Sequence, residues 1–92
     1  MKEYKARYKN ELVTENKIIR ADGFSCISFE NIGTNDVYLN ETIPMYPDSG
    51  ISRFFNEKPW TEIDTDFNIS FDDTVENGTN QVVVIYTYYN KI

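Results

Sequence analysis

The chain contains no histidine and a single cysteine, Cys26. The first absence removes the side chain that most often acts as general base, proton shuttle or zinc ligand near neutral pH. The second excludes an intramolecular disulfide, and without a histidine to pair with its thiol, Cys26 reads as a small buried hydrophobe in a strand. Long hydrophobic runs are missing as well. No stretch approaches the roughly 20 apolar residues of a membrane-spanning helix, so a soluble chain with no membrane partner is expected. The opening Met1-Lys2-Glu3-Tyr4, in place of an apolar leader, points with the lone cysteine to a reducing cytoplasm. Internal repeats, low-complexity tracts and linkers are absent too, and 92 residues make one domain, residues 1–92.

What is present is alternation of period two. From Ile63 to Asp72 the odd positions are apolar or Thr and the even positions polar, the pattern of a half-buried β-strand. Tyr4, Ala6 and Tyr8 alternate with Lys5, Arg7 and Lys9, which predicts a first strand with an aromatic inner face, followed by a loop over 10–16. Ile18 and Ile19 suggest a short second strand. Residues 24–30 and 37–40 predict a hairpin around Asn31-Ile32-Gly33-Thr34-Asn35-Asp36. Pro44 and Pro47 confine 43–47 to an edge or crossover that ends in the turn Pro47-Asp48-Ser49-Gly50. Ile51 to Phe55 is another short strand. Gln81 to Asn90 is apolar on both faces and must be central in a sheet or covered from outside the domain. No helix longer than a turn is expected. The fold class is therefore all-β: a small, jelly-roll-like β-sandwich of about eight short antiparallel strands.

Aromatic residues, 15% of the chain, support a core despite its small size. The formal charge of −6 is divided unevenly: six bases and three acids in residues 1–20 (+3), three bases and twelve acids in 21–92 (−9). Phosphate backbones are repelled by that acidic bulk, so no direct nucleic-acid partner is expected. The row Lys5, Arg7, Lys9 reads either as an edge strand guarded by cations or as a contact for an acidic protein surface. The motifs Asn40-x-Thr42, Asn68-x-Ser70 and Asn77-x-Thr79 are glycosylation matches of the kind an Asn-rich composition produces by chance.

The carboxylates offer two constellations that chemistry could use. Asp64, Asp66, Asn68 and Asp72 resemble a calcium loop in spacing, but Ile69 stands where the loop needs Gly and Val75 where a bidentate Glu should close it. Asp72-Asp73 and Glu62-Asp64 could pair as glycosidase carboxylates, yet nothing places them in a cleft. No catalytic residue, metal site or cofactor is expected. The aromatics remain. Trp60 beside Pro59, with Phe54 and Phe55 close in sequence, reads as core, protein-contact anchor or sugar platform, and alternation turns either Phe54 or Phe55 inward. Tyr86, Tyr88 and Tyr89 put Tyr on both faces of one strand, more than a small sandwich buries alone. The expected protein interface is thus Tyr86, Tyr88, Tyr89, Trp60, Lys5, Arg7 and Lys9.

In order, the segment Phe29-Glu30-Asn31-Ile32-Gly33-Thr34-Asn35-Asp36-Val37-Tyr38-Leu39-Asn40, the Pro-containing turn ending at Gly50, the Phe67-x-Ile69-x-Phe71 strand and the final Val/Tyr strand resemble small β-sandwich virion proteins of tailed bacteriophages. The resemblance covers residues 24–90, and the Ile/Asn/Lys-rich composition suits phages of AT-rich hosts, the crAss-like phages included. It implies a non-enzymatic structural protein of the virion (capsid decoration, head-to-tail or tail component), assembled in the bacterial host cytoplasm. Its partners would be other virion proteins and further copies of itself, in a homo-oligomer. The rival expectation is a carbohydrate-binding module of a host-recognition appendage.

Overall fold

The computed structural model describes residues 3–47 and 53–92. Among the described residues there are eight strands: β1 (Tyr4–Val13), β2 (Lys17–Ile19), β3 (Cys26–Asn31), β4 (Asp36–Leu39), β5 (Ile43–Met45), β6 (Arg53–Asn56), β7 (Phe67–Asp72) and β8 (Val82–Lys91). They form two four-stranded sheets: sheet A in the order β1-β8-β3-β6 and sheet B in the order β2-β7-β4-β5. The antiparallel neighbours β1 with β8, β2 with β7, β3 with β6 and β4 with β5 describe one long ribbon folded at the β4–β5 turn. Successive pairs of that ribbon alternate between the sheets, which is jelly-roll connectivity, and the expected all-β sandwich is the observed fold.

Alternation fills the space between the sheets. Ile27 and Phe29 from β3, Val37 and Leu39 from β4, Phe67, Ile69 and Phe71 from β7, and Val82, Val84 and Tyr86 from β8 are all buried. The rings of Phe29, Phe55 and Phe67 meet with centroids 5.0–6.3 Å apart, tilted or edge-on, as aromatic quadrupoles prefer. Phe24 lies just ahead of β3, fully buried, with its edge toward Tyr86 and Tyr88.

Four expectations about the strands need correction. The loop proposed for 10–16 is strand as far as Val13, because pairing with Val82–Ile85 supplies a ladder that overrides the poor β-propensity of Asn10 and Glu11. The strand proposed for 63–72 begins only at Phe67. Residues 63–66 instead run beside 21–24, with Ile63 N–H donating to the Phe24 carbonyl at 2.9 Å and Ala21 N–H to the Asp66 carboxylate at 2.8 Å. Segments 24–30 and 37–40 are not a hairpin: β3 lies in sheet A and β4 in sheet B. Both edges of β3 are taken, by β8 and β6, so the turn residues between become a crossover. Asn31 holds that crossover by donating from its amide to the carbonyls of Asn35 and Met45, each at 2.8 Å. The face assigned to the aromatic residues of β1 is the fourth correction, taken up with the site. Of the strand proposed for 51–55, the part from Arg53 is β6, whereas Ile51, Ser52 and the turn residues Asp48, Ser49 and Gly50 fall outside the described residues.

The prolines behave as their missing N–H requires: Pro44 lies on β5, the edge strand of sheet B. The β4–β5 turn places Asn40 at φ 50° and Glu41 at φ 66°, and Thr42 N–H returns to the Leu39 carbonyl at 3.2 Å. Two consecutive positive φ values define the primed hairpin turn, in which Asn is favoured first and Gly second. Asn40 suits its place and also accepts from Asn68 N–H at 2.8 Å, but Glu41 sits in a region that L side chains enter at a cost.

Phe67→Ala and Ile69→Ala are expected to lower unfolding free energy by about 2–5 kcal/mol each, and Ser70→Ala on the opposite face by less than about 1 kcal/mol, in urea titrations. Glu41→Gly is expected to raise stability by roughly 0.5–1 kcal/mol, because glycine occupies the second turn position without steric strain.

Candidate functional site

Residues paired across adjacent strands point to the same side of the sheet, so the register of sheet A assigns every side chain to a face. Toward the solvent side lie Tyr4, Ala6, Tyr8, Asn10 and Leu12 of β1, and Val83, Ile85, Thr87, Tyr89 and Lys91 of β8. Cys26, Ser28 and Glu30 of β3 continue this face, followed by Phe54 and Asn56 of β6. Cys26, expected to be buried, is only half-buried, because its pairing with Thr87 puts it on the outer side of the sheet. Only Glu30 and Lys91 of these fifteen residues are charged, in a chain that is 26% charged. Large apolar side chains stand open to water on it: Tyr8 is 67% exposed, Phe54 65% and Leu12 53%. Trp60, 66% exposed, extends the aromatic surface, its ring centroid 6.3 Å from that of Tyr4. The outer face of sheet B is polar by comparison, with Asn68, Ser70 and Asp72 of β7 beside Asp36 and Tyr38 of β4. An aromatic, charge-depleted surface is the composition of a protein–protein contact.

The expected aromatic inner face of β1 is therefore inverted. Tyr4 and Tyr8 face outward, while Lys5, Arg7 and Lys9 share the inward side with Asn90, Tyr88 and Tyr86. β1 and β8 are ten residues long and β2 only three, so part of sheet A overhangs its partner sheet and cations there need not be buried. The Arg7 guanidinium lies 5.3 Å from the Tyr88 ring centroid and the Lys9 ammonium 5.6 Å from that of Tyr86. Both contacts are cation–π pairs, each worth about 0.5–1 kcal/mol where exposed. An open cavity of about 450 Å³ lies beneath the overhang, with Lys9, Glu11, Lys17, Asp22, Tyr86 and Tyr88 in its wall. β1 is also the edge strand of sheet A, as a Lys-guarded edge requires.

Compared with protein-family models, with curated proteins and with solved structures, the chain matches none. What the surfaces can do thus rests on their chemistry.

Structure separates the predicted interface residues into two groups. Tyr89 and Trp60 belong to the outer aromatic surface, whereas Tyr88, Lys5, Arg7 and Lys9 belong to the underside of the overhang. Tyr86 is only 5% exposed and is a core residue, which corrects its assignment as a surface anchor. Its phenol donates to Glu11 Oε1 at 2.6 Å, and Glu11 in turn forms an ion pair with Lys17. Burial pushes the Glu11 carboxyl up, but the hydrogen bonds from Lys17 and Tyr86 outweigh it and hold the group below its ordinary range. Burial, then the bond to Glu11 and its charge, push the Tyr86 phenol well above its ordinary value. Burial raises Tyr89 as well, with the neighbouring Cys26 thiol and Tyr8 adding to it.

Tyr8, Leu12 and Ile85 are the surface residues that sequence reasoning missed, whereas Phe54, considered beside Trp60, is the one of the Phe54–Phe55 pair that faces outward. Their signal was parity: the even positions of β1 and the odd positions of β8 are paired, and both sets are poor in charge. Asp66, proposed within a calcium-like spacing, accepts instead from Ala21 N–H and from Arg20 at 3.0 Å, and these bonds lower its carboxyl.

Tyr86→Phe is expected to cost about 1–2 kcal/mol at neutral pH, as loss of a hydrogen bond to a charged acceptor does. The native state holds the Tyr86 proton more tightly than the unfolded chain, whose Tyr ionises near about 10. Stability supplied by this phenol is complete below that pH and declines as pH rises above it. Thermal unfolding of wild type is therefore expected to fall more steeply above about pH 10 than that of Tyr86→Phe, and parallel curves would refute the assignment.

Proposed function

We propose that this chain is a non-enzymatic assembly module that works by multivalent protein contact through the outer face of sheet A. The carrying observation is the composition of that face, with Tyr8, Leu12, Phe54, Ile85 and Tyr89 on it and two charges among its fifteen residues. Aromatic anchors with few charges are where interface binding energy concentrates. The resemblance of residues 24–90 to small β-sandwich virion proteins of tailed phages supplies the setting: a capsid-decorating, head-to-tail or tail component whose partners are other virion proteins and its own copies. Jelly rolls serve in viral capsids and in lectins alike, so the fold by itself favours neither reading.

A non-enzymatic role agrees with how the carboxylates near the overhang are used, Glu11 by Tyr86 and Lys17, and Asp66 by Arg20 and Ala21. The cation row is set against tyrosine rings, with Asp22 across the same space, an arrangement ill suited to a phosphate backbone. The carbohydrate-binding reading draws on Trp60, whose ring is largely exposed. Lys58 lies over that ring at 5.5 Å and Tyr4 packs beside it, which reduces the area free for a sugar to stack.

Ile85→Asp puts a charge in the middle of the outer face. Reduced association with copies or virion partners by roughly 30-fold or more, with an unchanged circular dichroism spectrum, is the expected result, since an interface anchor is worth about 2 kcal/mol or more. Sedimentation velocity and incorporation into purified particles measure it. A wild-type chain that is strictly monomeric and absent from particles would sink the proposal, whereas glycan binding abolished by Trp60→Ala would favour the rival.

A further inference from the structure

We propose that the outer face of sheet A is the self-complementary interface of a homodimer in which two copies stack face to face with their strands antiparallel. The inference rests on the reading of that face as a contact surface and names its occupant, a second copy of this chain. The reason is the placement of its two charges. Glu30 is level with Val83 at one end of β8, and Lys91 lies at the other end, opposite Tyr4. Both are exposed, and neither takes part in the ion pairs found among the described residues. They have opposite sign and stand eight positions apart along the ladder, about 27 Å at 3.4 Å per residue.

A two-fold axis lying between the stacked sheets, across the strands at the level of Thr87, reverses the ladder about its midpoint. Level 83 of one copy then meets level 91 of the other, which brings Glu30 to Lys91 twice by one operation. Their lateral offset is one strand spacing, about 4.8 Å, within reach of a lysine side chain. The same operation sets Tyr8 against Tyr8 and Tyr89 against Ile85 toward the middle of the ladder, and Leu12 against Tyr4 at its ends, level with the charges. A parallel stacking would place Glu30 on Glu30 and Lys91 on Lys91. The symmetric contact is isologous and closed, and it leaves no unpaired copy of the face. From strand lengths and spacings the face has a footprint on the order of 500 Å² per copy, about 1,000 Å² for the pair, which reaches the lower bound of specific interfaces.

The test is a charge swap read by sedimentation equilibrium of the purified chain. Wild type is expected to dimerise. Glu30→Lys and Lys91→Glu are each expected to weaken the dimer roughly 10-fold, because each turns two symmetric pairs repulsive, and the double variant Glu30→Lys, Lys91→Glu should regain most of that loss. Ile85→Asp should be monomeric. Glu30→Gln and Lys91→Gln, which remove charge without reversing it, should fall between wild type and the reversals and serve if a reversal variant does not fold. A double variant no tighter than the singles would overturn the antiparallel stacking, as would Ile85→Asp dimerising like wild type. A monomeric wild type whose incorporation into particles is still blocked by Ile85→Asp would overturn the homodimer while leaving the contact surface intact, and a chain that does neither would overturn both.

Discussion

The ten-residue ladder between β1 and β8 is the constraint on which the rest of the molecule depends. β8 is apolar on both faces and lies between β1 and β3, so its inner residues Val82, Val84 and Tyr86 anchor sheet A to the core. The register of β1 upon it then decides the character of both surfaces. A slip of one residue would move Tyr4, Tyr8 and Leu12 to the inner side and turn Lys5, Arg7, Lys9 and Glu11 outward. The Tyr86–Glu11 hydrogen bond, the cation–π pairs of Arg7 and Lys9, and the neutrality of the outer face all require the register observed.

In the rolled ribbon that ladder joins the strands farthest apart in the chain. β4–β5 is closed by the three residues Asn40, Glu41 and Thr42, while β3–β6, β2–β7 and β1–β8 span progressively more of the chain. Loop-closure entropy therefore favours formation from the turn outward, with the strain at Glu41 located where the ribbon is folded. The crossover held by Asn31 and the main-chain bonds from Thr34 and Asn35 to Thr79 tie the ends of β3 and β4 to the entry of β8.

The two sheets face water on different terms. Sheet B presents Asn68, Ser70, Asp72 and Asp36, groups that water solvates well. Sheet A presents tyrosine, leucine, isoleucine and phenylalanine, whose burial against a partner recovers free energy that solvent does not supply. Placing the cations beneath the overhang sets the Arg7 guanidinium and the Lys9 ammonium over tyrosine rings, so charge near β1 does not interrupt the outer face.

Phe67, Ile69 and Phe71 were legible as a core strand from alternation alone, and so were the edge character of Pro44, the centrality of β8 and the all-β class, because a two-residue period has one physical cause. The even residues of β1 were readable as one set for the same reason. Which way that set faced was not. Alternation says that two faces differ, but only pairing with Tyr86 and Tyr88, whose rings close the end of the core, decides which one is inside. The hairpin expected between Phe29 and Leu39 failed on similar grounds: turn residues such as Asn31 and Gly33 specify a change of direction, and the sheet that receives the next strand depends on whether both edges of β3 are already filled. Sequence by itself determined the all-β class and the composition of the strand faces. Tertiary structure decided their partners and the side each turned to solvent, because those choices depend on strands far apart in the chain.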